Sequence, residues 1–164
     1  MPSDRISHRA LTPDDQDFLW HMLHVALWDP PPAPLRPIEI LQVPEVRLYA
    51  EAWGRAGDVG VVAMDGELAV GACWMRLMPE GQGLGWVDAA TPQLGIALEP
   101  GHQGRGLGGP MMQAALEAAR RVGHAQVALT VHPANPAISL YLRMGFTDLG
   151  ERRGGYRLML AQLV

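Results

Sequence analysis

The sequence predicts an α+β fold built on a mixed, mostly antiparallel sheet of six to seven strands. Three strand-like segments separated by short turns follow one another between residues 58 and 98, which is the pattern of an antiparallel meander. A glycine-rich segment, residues 99–109, then leads into an amphipathic helix, and helical and strand-like segments alternate after it. Helices on either side of a meander place the chain in the α+β class.

The first 60 residues are predicted to form one strand and two helices. Residues 5–10 are predicted to form a strand. Threonine and proline at residues 12–13 mark a helix start, since threonine caps and proline suits the first helical position. The proline-rich segment 29–34 must end that helix. A second helix is expected from about Ile38 to Trp53, with Pro44 as a break or kink inside it.

The meander occupies the middle of the chain. Residues 58–64 are predicted to form a strand, Asp65-Gly66 a hairpin turn, and residues 67–78 the return strand. After a second glycine turn, residues 85–98 hold a third strand that is interrupted near Thr91-Pro92.

The last third of the chain is predicted to contain two helices and three strands. Apolar residues at helical spacing predict a helix over residues 111–122. Asn135-Pro136 has the form of a helix cap and first turn, and Gly145 is suited to end that short helix. The predicted strands are residues 126–131, 146–149 and 156–163.

Composition limits the classes of function. One domain over residues 1–164 is expected, because this length can bury a substantial core. No apolar run approaches the roughly 20 residues of a membrane span, and the first residues lack the apolar stretch of a signal peptide. The single cysteine, Cys73, suits a reducing compartment. These features predict a cytoplasmic protein without a membrane partner.

The charge pattern argues against two further classes. The net charge is −4 and no basic run exceeds two residues, so the electrostatic footprint of a nucleic-acid-binding protein is missing. All 13 basic residues are arginine, which excludes a lysine nucleophile. His21 and His24 lack a third ligand and are more typical of a helix surface than of a metal site. No metal is therefore expected.

The glycine-rich segment is the main functional signal. Five glycines lie within nine residues, and exposed amides before a helix favour phosphate. The phosphate-loop NTPase pattern fails, because leucine and glycine stand where lysine and serine or threonine are required. The dinucleotide pattern G-x-G-x-x-G matches at Gly104, Gly106 and Gly109, but no acidic residue follows at the distance that would hold a ribose. A nucleotide-dependent oxidoreductase is therefore disfavoured.

A third pattern, Gln103-x-x-Gly106-x-Gly108, resembles the signature of the GNAT superfamily, the acyl-coenzyme A-dependent N-acyltransferases. Residues 98–100, Leu-Glu-Pro, are similar to the strand exit of that family. Residues 135–146 resemble its Asn…Ala…Leu-Tyr-x-x-x-Gly-Phe block. The clear resemblance covers roughly residues 85–149 and implies a three-layer arrangement with helices on both faces of the sheet.

The resemblance also implies a site for acetyl-coenzyme A (acetyl-CoA). Amides of the glycine-rich segment would hold its pyrophosphate, and backbone groups of the fourth strand its pantetheine arm. Tyr141 would act as general acid near the sulfur. Asn135 would lie near the arm or simply cap its helix, and Arg105 would add charge or stay solvated. The implied coenzyme-binding residues are Ile96, Leu98, Gln103, Gly104, Arg105, Gly106, Leu107, Gly108, Gly109, Asn135 and Tyr141.

The general base is not identified by the resemblance. Where many members of the family carry a glutamate in the fourth strand, this chain has no acidic residue between 91 and 94. Asp88 is the nearest carboxylate, Glu99 lies at the strand exit, and a proton relayed by water is the third possibility.

The leading hypothesis is an N-acetyltransferase that moves acetyl from acetyl-CoA to a primary amine by direct transfer. The alternative is an acyl-CoA-binding sensor or partner module with little catalysis. The acceptor, a small molecule or a peptide amine, stays open, although the acidic balance mildly favours a cationic one. The resemblance makes a homodimer possible.

Overall fold

The computed structural model describes residues 5–163, apart from the side chain of residue 153. Within this range seven strands form a sheet in the order β1-β2-β3-β4-β5-β7-β6, and every neighbouring pair is antiparallel except β4 and β5. The mixed, mostly antiparallel sheet is therefore confirmed. The strands are β1 (Ile6–Ala10), β2 (Val59–Asp65), β3 (Leu68–Arg76), β4 (Gln93–Leu98), β5 (Gln126–Val131), β6 (Thr147–Glu151) and β7 (Arg157–Gln162).

Helices pack on both faces of the sheet. They are α1 (Gln16–Ala26), α2 (Pro44–Arg47), α3 (Gly108–Arg121) and α4 (Ile138–Arg143). One hydrophobic core lies between the sheet and α3 with α4, and a second lies between the sheet and α1. These two sides are called the α3 side and the α1 side below. Alternating side chains of the strands supply both cores.

The second predicted helix is wrong in extent. Residues 38–42 form a 3-10 helix, Val43 is extended before Pro44, and α2 has four residues. Beyond α2 the carbonyls of Leu48, Glu51 and Ala52 accept hydrogen bonds from the guanidinium of Arg76, which is 1% exposed. These carbonyls bind a buried cation from β3, and the chain turns there.

The third predicted strand is also too long, because β4 begins at Gln93 and residues 85–92 form a loop. The Asp88 carboxylate accepts hydrogen bonds from the Ala90 amide (2.9 Å) and the Thr91 hydroxyl (2.7 Å), which stabilises a turn. Pro92 then contributes no amide to a ladder.

The two parallel strands diverge almost at once. Within residues 5–163, β4 and β5 pair only at Gln93 and Ala128, next to a hydrogen bond from the Ala128 amide to the Pro92 carbonyl (3.0 Å). From there toward Leu98 and Val131 the strands separate. This gap, called the wedge, is closed at Gln93 and open toward the glycine-rich segment.

No helix between residues 5 and 163 has both the length and the apolar character needed to cross a membrane.

Candidate active site

The glycine-rich segment exposes a run of backbone amides at the start of α3. Within the described residues, the amides of residues 104–109 have no protein acceptor, and α3 has neither a side-chain cap nor an acidic residue in its first turn. The Leu107 carbonyl accepts the first helical bond, from Met111 (3.3 Å). The positive end of the helix dipole adds to these donors, so the segment suits an anion.

Glycines shape this run of amides in two ways. Gly104 and Gly106 have φ values of +74° and +75°, a conformation that glycine adopts without steric cost. Apart from the adjoining residues, no atom lies within 4 Å of the place where a Cβ would stand on either residue, so the space beside both glycines is open. Gly108 serves packing, since a Cβ there would lie 3.2 Å from the side chain of Leu140.

The edge of β4 presents backbone groups to the wedge. The Glu99 amide donates to the Val70 carbonyl of β3 at 2.8 Å, so the backbone groups of Glu99 point away from the wedge. Because these directions alternate along a strand, those of Ile96 and Leu98 point into it. Their side chains pack against the core on the α3 side. An extended chain in the wedge could therefore bond to β4 as an added strand.

Two side chains of the glycine-rich segment differ in their constraint. The amide nitrogen of Gln103 donates to the Leu98 carbonyl at 2.9 Å, which ties the segment to the mouth of the wedge. Arg105 is exposed and makes no ion pair within residues 5–163. Its charge is available to an anion at the amides.

Tyr141 enters the same region from α4. It is 6% exposed, packs against Phe146 with ring centroids 6.1 Å apart, and belongs to the core on the α3 side. The Tyr141 hydroxyl has no hydrogen-bond partner within residues 5–163. Among the described residues, His8 Nε2 is the one fully buried side-chain nitrogen or oxygen without a partner. The Tyr141 hydroxyl is therefore not fully buried and reaches solvent-accessible space. Burial, with a smaller effect of the Cys73 thiol, raises the pKa of Tyr141 above its usual value. The hydroxyl therefore stays protonated near neutral pH and can donate.

Asn135 caps the turn that leads into α4. Its side-chain oxygen accepts the Ala137 amide at 2.9 Å, and its carbonyl accepts the Ile138 amide at 3.2 Å. The predicted helix start at Asn135-Pro136 is wrong by two residues, because the N-cap of α4 is Ala137, which makes no side-chain cap bond, and the helix begins at Ile138. The side-chain NH₂ group keeps its donors for another partner.

The two carboxylates considered as a base lie at opposite ends of β4. Asp88 is exposed, and its turn lies beyond the closed end of the wedge. A carboxylate oxygen of Asp88 is 3.5 Å from the side-chain nitrogen of Gln126. Glu99 lies at the open end, where its carboxylate is 2.7 Å from Nε2 of His21 on α1. An ionised carboxylate can only accept, so in a bond to ionised Glu99 the donor is His21 Nε2.

A second histidine–carboxylate pair holds the other side of the segment. His102 Nε2 lies 3.1 Å from a carboxylate oxygen of Asp65 at the end of β2. Sequence reasoning missed both pairs, because the partners are 78 and 37 residues apart. Glu99 and His102 lie in the glycine-rich segment, but nothing in the sequence identified their partners.

Cys73, Trp53 and Trp74 are core residues. Cys73 is fully buried, and burial raises the pKa of its thiol. Trp53 and Trp74 are 5% and 1% exposed, and their indole nitrogens donate to backbone carbonyls. No cluster of three or more histidine, cysteine, aspartate or glutamate side chains that could hold a metal occurs in residues 5–163.

Comparison with solved structures identifies the same fold in several acetyltransferases. A putative acetyltransferase from Salmonella typhimurium, yncA, solved with its cofactor acetyl-CoA, has a TM-score of 0.70 and 19% identity over 98% of this chain and 95% of that chain. The ribosomal-protein-S18-alanine N-acetyltransferase from Escherichia coli has a TM-score of 0.66 and 16% identity over 96% and 94%.

A third solved structure is a chimera of the spermidine N-acetyltransferase SpeG from Vibrio cholerae and hSSAT, with a TM-score of 0.65 and 19% identity over 97% and 96% of the two chains. No curated protein sequence shows significant similarity to this chain. The family model for the acetyltransferase (GNAT) family matches residues 20–146, well over half of the chain. With the amides of the glycine-rich segment beside an open wedge, this match shows that the chain belongs to the acetyltransferase (GNAT) family.

Proposed function

We propose that this site transfers the acetyl group of acetyl-CoA directly to a primary amine that enters the wedge from the α1 side. The observation that carries the proposal is that the amides of residues 104–109 have no acceptor within residues 5–163 and lie next to the edge of β4, which pairs with β5 only at Gln93 there. The amides suit a pyrophosphate, and the strand edge suits an extended amide-bearing arm. Coenzyme A combines both features in one molecule.

The residues of the site fit this donor without a metal. Residues 104–109 would bind the pyrophosphate, with Gln103 holding the segment and Arg105 adding charge. Ile96 and Leu98 would bond the pantetheine arm, and the free NH₂ of Asn135 would donate to it. The bound thioester supplies an acetyl group activated for attack by an amine.

Tyr141 is the residue we propose as general acid. When the amine forms the new C–N bond, the C–S bond breaks and the sulfur leaves as a thiolate that needs a proton. The Tyr141 hydroxyl holds a proton near neutral pH, because burial raises its pKa, and it has access to the solvent-accessible space of the α3 side. The amine must lose one proton in the same turnover.

For that loss we propose Glu99 together with His21, acting through water, as the first candidate. On β4, the side chain of Ala97 packs on the α1 side, and by alternation Glu99 lies on that side too. The amine is expected to enter there. Asp88 is the second candidate, but its carboxylate already accepts two bonds in its own turn.

We also propose that the chain acts as one domain in the cytoplasm, without a nucleic-acid or membrane partner. A homodimer is the oligomeric form to be tested. The free and buried Cys73 is compatible with a reducing compartment, and the net charge of −4 opposes binding to phosphate backbones.

Three measurements on the purified protein test the proposal. Calorimetry with acetyl-CoA should show binding that is competitive with coenzyme A, and NAD should give no heat. Thiol release over a panel of primary amines, including free amino acids, polyamines and peptides, should then show acetyl-CoA consumption that depends on the amine. Mass spectrometry of the product should show one added acetyl group.

The alternative function, an acyl-CoA-binding sensor, is favoured by the occupation of both candidate carboxylates in hydrogen bonds. Tight acetyl-CoA binding without turnover of any amine would support it. Absence of acetyl-CoA binding would contradict both functions.

A further inference from the structure

Five side chains from three distant segments meet beside the open end of the wedge. Trp28 and Asp29 follow α1, Arg36 lies seven residues after Asp29, His132 follows β5 directly, and Tyr156 precedes β7 directly. The His132 ring is in edge contact with Trp28 (5.6 Å between centroids) and with Tyr156 (5.9 Å). This group is called the rim cluster below.

The rim cluster lies on the α1 side, across the sheet from Tyr141. Val127, Leu129 and Val131 of β5 point into the core on the α3 side. Because side chains alternate along a strand, His132 continues the opposite face. Each of its five side chains is partly exposed, so the rim cluster forms part of the wall past which a molecule would reach the wedge from the α1 side.

The guanidinium of Arg36 is held in a fixed orientation within this wall. Its Nε and Nη2 donate to the two carboxylate oxygens of Asp29 at 2.8 and 2.9 Å, and Nη2 also contacts the Tyr156 hydroxyl at 3.2 Å. The Arg36 carbonyl accepts from Nε2 of His24 at 2.7 Å, which ties its backbone to α1. This bond network leaves Nη1, with two N–H groups, without an acceptor within residues 5–163.

The remaining free polar groups of the rim cluster are mainly donors. Nδ1 of His132 accepts the Ala134 amide at 3.0 Å, so the neutral ring carries its proton on Nε2. The charge of Asp29 is compensated by Arg36, whose hydrogen bonds lower the pKa of the Asp29 carboxyl. A wall of fixed N–H donors and aromatic edges suits a carboxylate more than a second ammonium group.

A polycationic acceptor would require several carboxylates in one place, whereas the single carboxylate of the rim cluster, Asp29, is paired with Arg36. The overall charge of −4 mildly favours a cationic acceptor, but this charge is spread over the surface, whereas the rim cluster lies beside the site.

We propose that the acceptor is an amine that also carries a carboxylate, as a free α-amino acid does, and that Arg36 Nη1 binds this carboxylate while the amine enters the wedge. The inference depends on the proposed function, because it names the acceptor class of that same reaction. Arg36 is thus a specificity-determining residue, and Trp28 and Tyr156 contact the acceptor's side chain.

The test compares acceptors that differ only in the carboxylate. Each acceptor pair consists of an amino acid (phenylalanine, leucine or methionine) and the amine that remains when its carboxylate is removed. Both members of each pair are assayed with the wild type and with Arg36→Gln. We expect Arg36→Gln to lower kcat/KM for the amino acids about 10- to 100-fold, mainly through KM, since a charge-assisted hydrogen bond is lost. The decarboxylated amines should keep their wild-type values. Comparing variants on one acceptor cancels differences in amine basicity.

Two further variants serve as controls. Arg36→Lys keeps the charge but loses the fork to Asp29, so it should recover part of the loss. Within residues 5–163 the Arg55 guanidinium is paired only with Glu51, so Arg55→Gln removes a comparable exposed charge and should leave turnover of every acceptor unchanged. Thermal unfolding of each variant shows whether it is folded.

An equal loss for both members of each acceptor pair would overturn the inference, because it would assign Arg36 a purely structural role. Turnover of amines with no dependence on a carboxylate in the wild type would overturn it too and leave the proposed function intact. Absence of turnover with every amine would reject the proposed function as well.

Discussion

Replacement of Tyr141 by phenylalanine removes only a hydroxyl from the α3 side of the wedge. In the described residues this hydroxyl has no protein hydrogen-bond partner, and the ring keeps its contact with Phe146. The change therefore leaves no buried group unpaired, and we expect the free energy of unfolding to change by less than about 0.5 kcal/mol.

The expected effect on catalysis is much larger. Loss of a positioned general acid lowers turnover by about 10²- to 10⁴-fold, which corresponds to about 3–5 kcal/mol of activation free energy. Binding of acetyl-CoA should be nearly unchanged, because Tyr141 is assigned to proton donation at the sulfur, whereas the pyrophosphate depends on residues 104–109. The Tyr141→Phe variant should thus separate kcat from both stability and coenzyme affinity.

The assay combines thiol release, calorimetry with acetyl-CoA and thermal unfolding. Tyr49→Phe is a matched control, since the Tyr49 hydroxyl donates to Gln93 at 2.9 Å. We expect that control to lose about 0.5–1.5 kcal/mol of stability and to keep most of its turnover.

Unchanged kcat in Tyr141→Phe would remove this residue from the mechanism. A loss of stability as large as that of Tyr49→Phe would refute the reasoning from hydrogen bonding, because it would show that the Tyr141 hydroxyl has a partner within the protein.

Three further predictions concern other parts of the site and the core. Gly106→Asp should abolish acetyl-CoA binding, because it places a side chain on a residue with φ +75° and an anion at the pyrophosphate amides. The control Gly101→Asp adds the same charge outside this run of amides and should still bind acetyl-CoA. Equal calorimetric titrations of the two variants would refute the assignment. Glu99→Gln should lower kcat at neutral pH more than Asp88→Asn does, and the reverse order in pH–rate profiles would transfer the role of base to Asp88. Burial raises the pKa of Cys73, so the folded state retains the thiol proton at pH values where the unfolded chain loses it. The free energy of unfolding is therefore unaffected by this thiol below the unfolded-state pKa of about 8.5. Above that pH it falls by up to about 1.4 kcal/mol per pH unit. Denaturant titrations of Cys73→Ala should lack this fall between about pH 8.5 and 10, and a flat wild-type profile over that range would contradict the argument.

The parts of the fold that follow from neighbouring residues could be predicted. The hairpin after β2 is closed by Gly66, with φ +61°, at the glycine turn expected there. Strand β5 has the predicted bounds, because its apolar residues form a short uninterrupted run between turns. Tyr141 and Phe146 belong to one short block, and their contact follows from their spacing on a helix that ends at a glycine.

The parts that failed depend on contacts between distant residues. The expected helix over residues 38–53 stops because carbonyls beyond α2 bind Arg76, and that guanidinium is buried with Asp58 at 2.7 Å. Helical spacing cannot reveal a cation that comes from a strand 25 residues later. Likewise β4 begins late because the turn of Asp88 occupies the segment that alternation assigned to a strand.

The same difference between local and distant contacts distinguishes the proposed donor site from the proposed acceptor site. The proposed donor site uses mostly backbone amides from one short segment, so a few glycines specify it, and a pattern of glycines is readable in a chain that is 16–19% identical to the neighbours described above. The proposed acceptor wall uses side chains, and its Arg36–Tyr156 contact joins residues 120 positions apart. Such a wall can change its chemistry with one substitution while the amides stay as they are. Two of those neighbours are named for different acceptors, spermidine and a protein alanine, although their fold is shared. For this reason the acceptor has to be argued from the side chains of the rim cluster and cannot be inferred from the family.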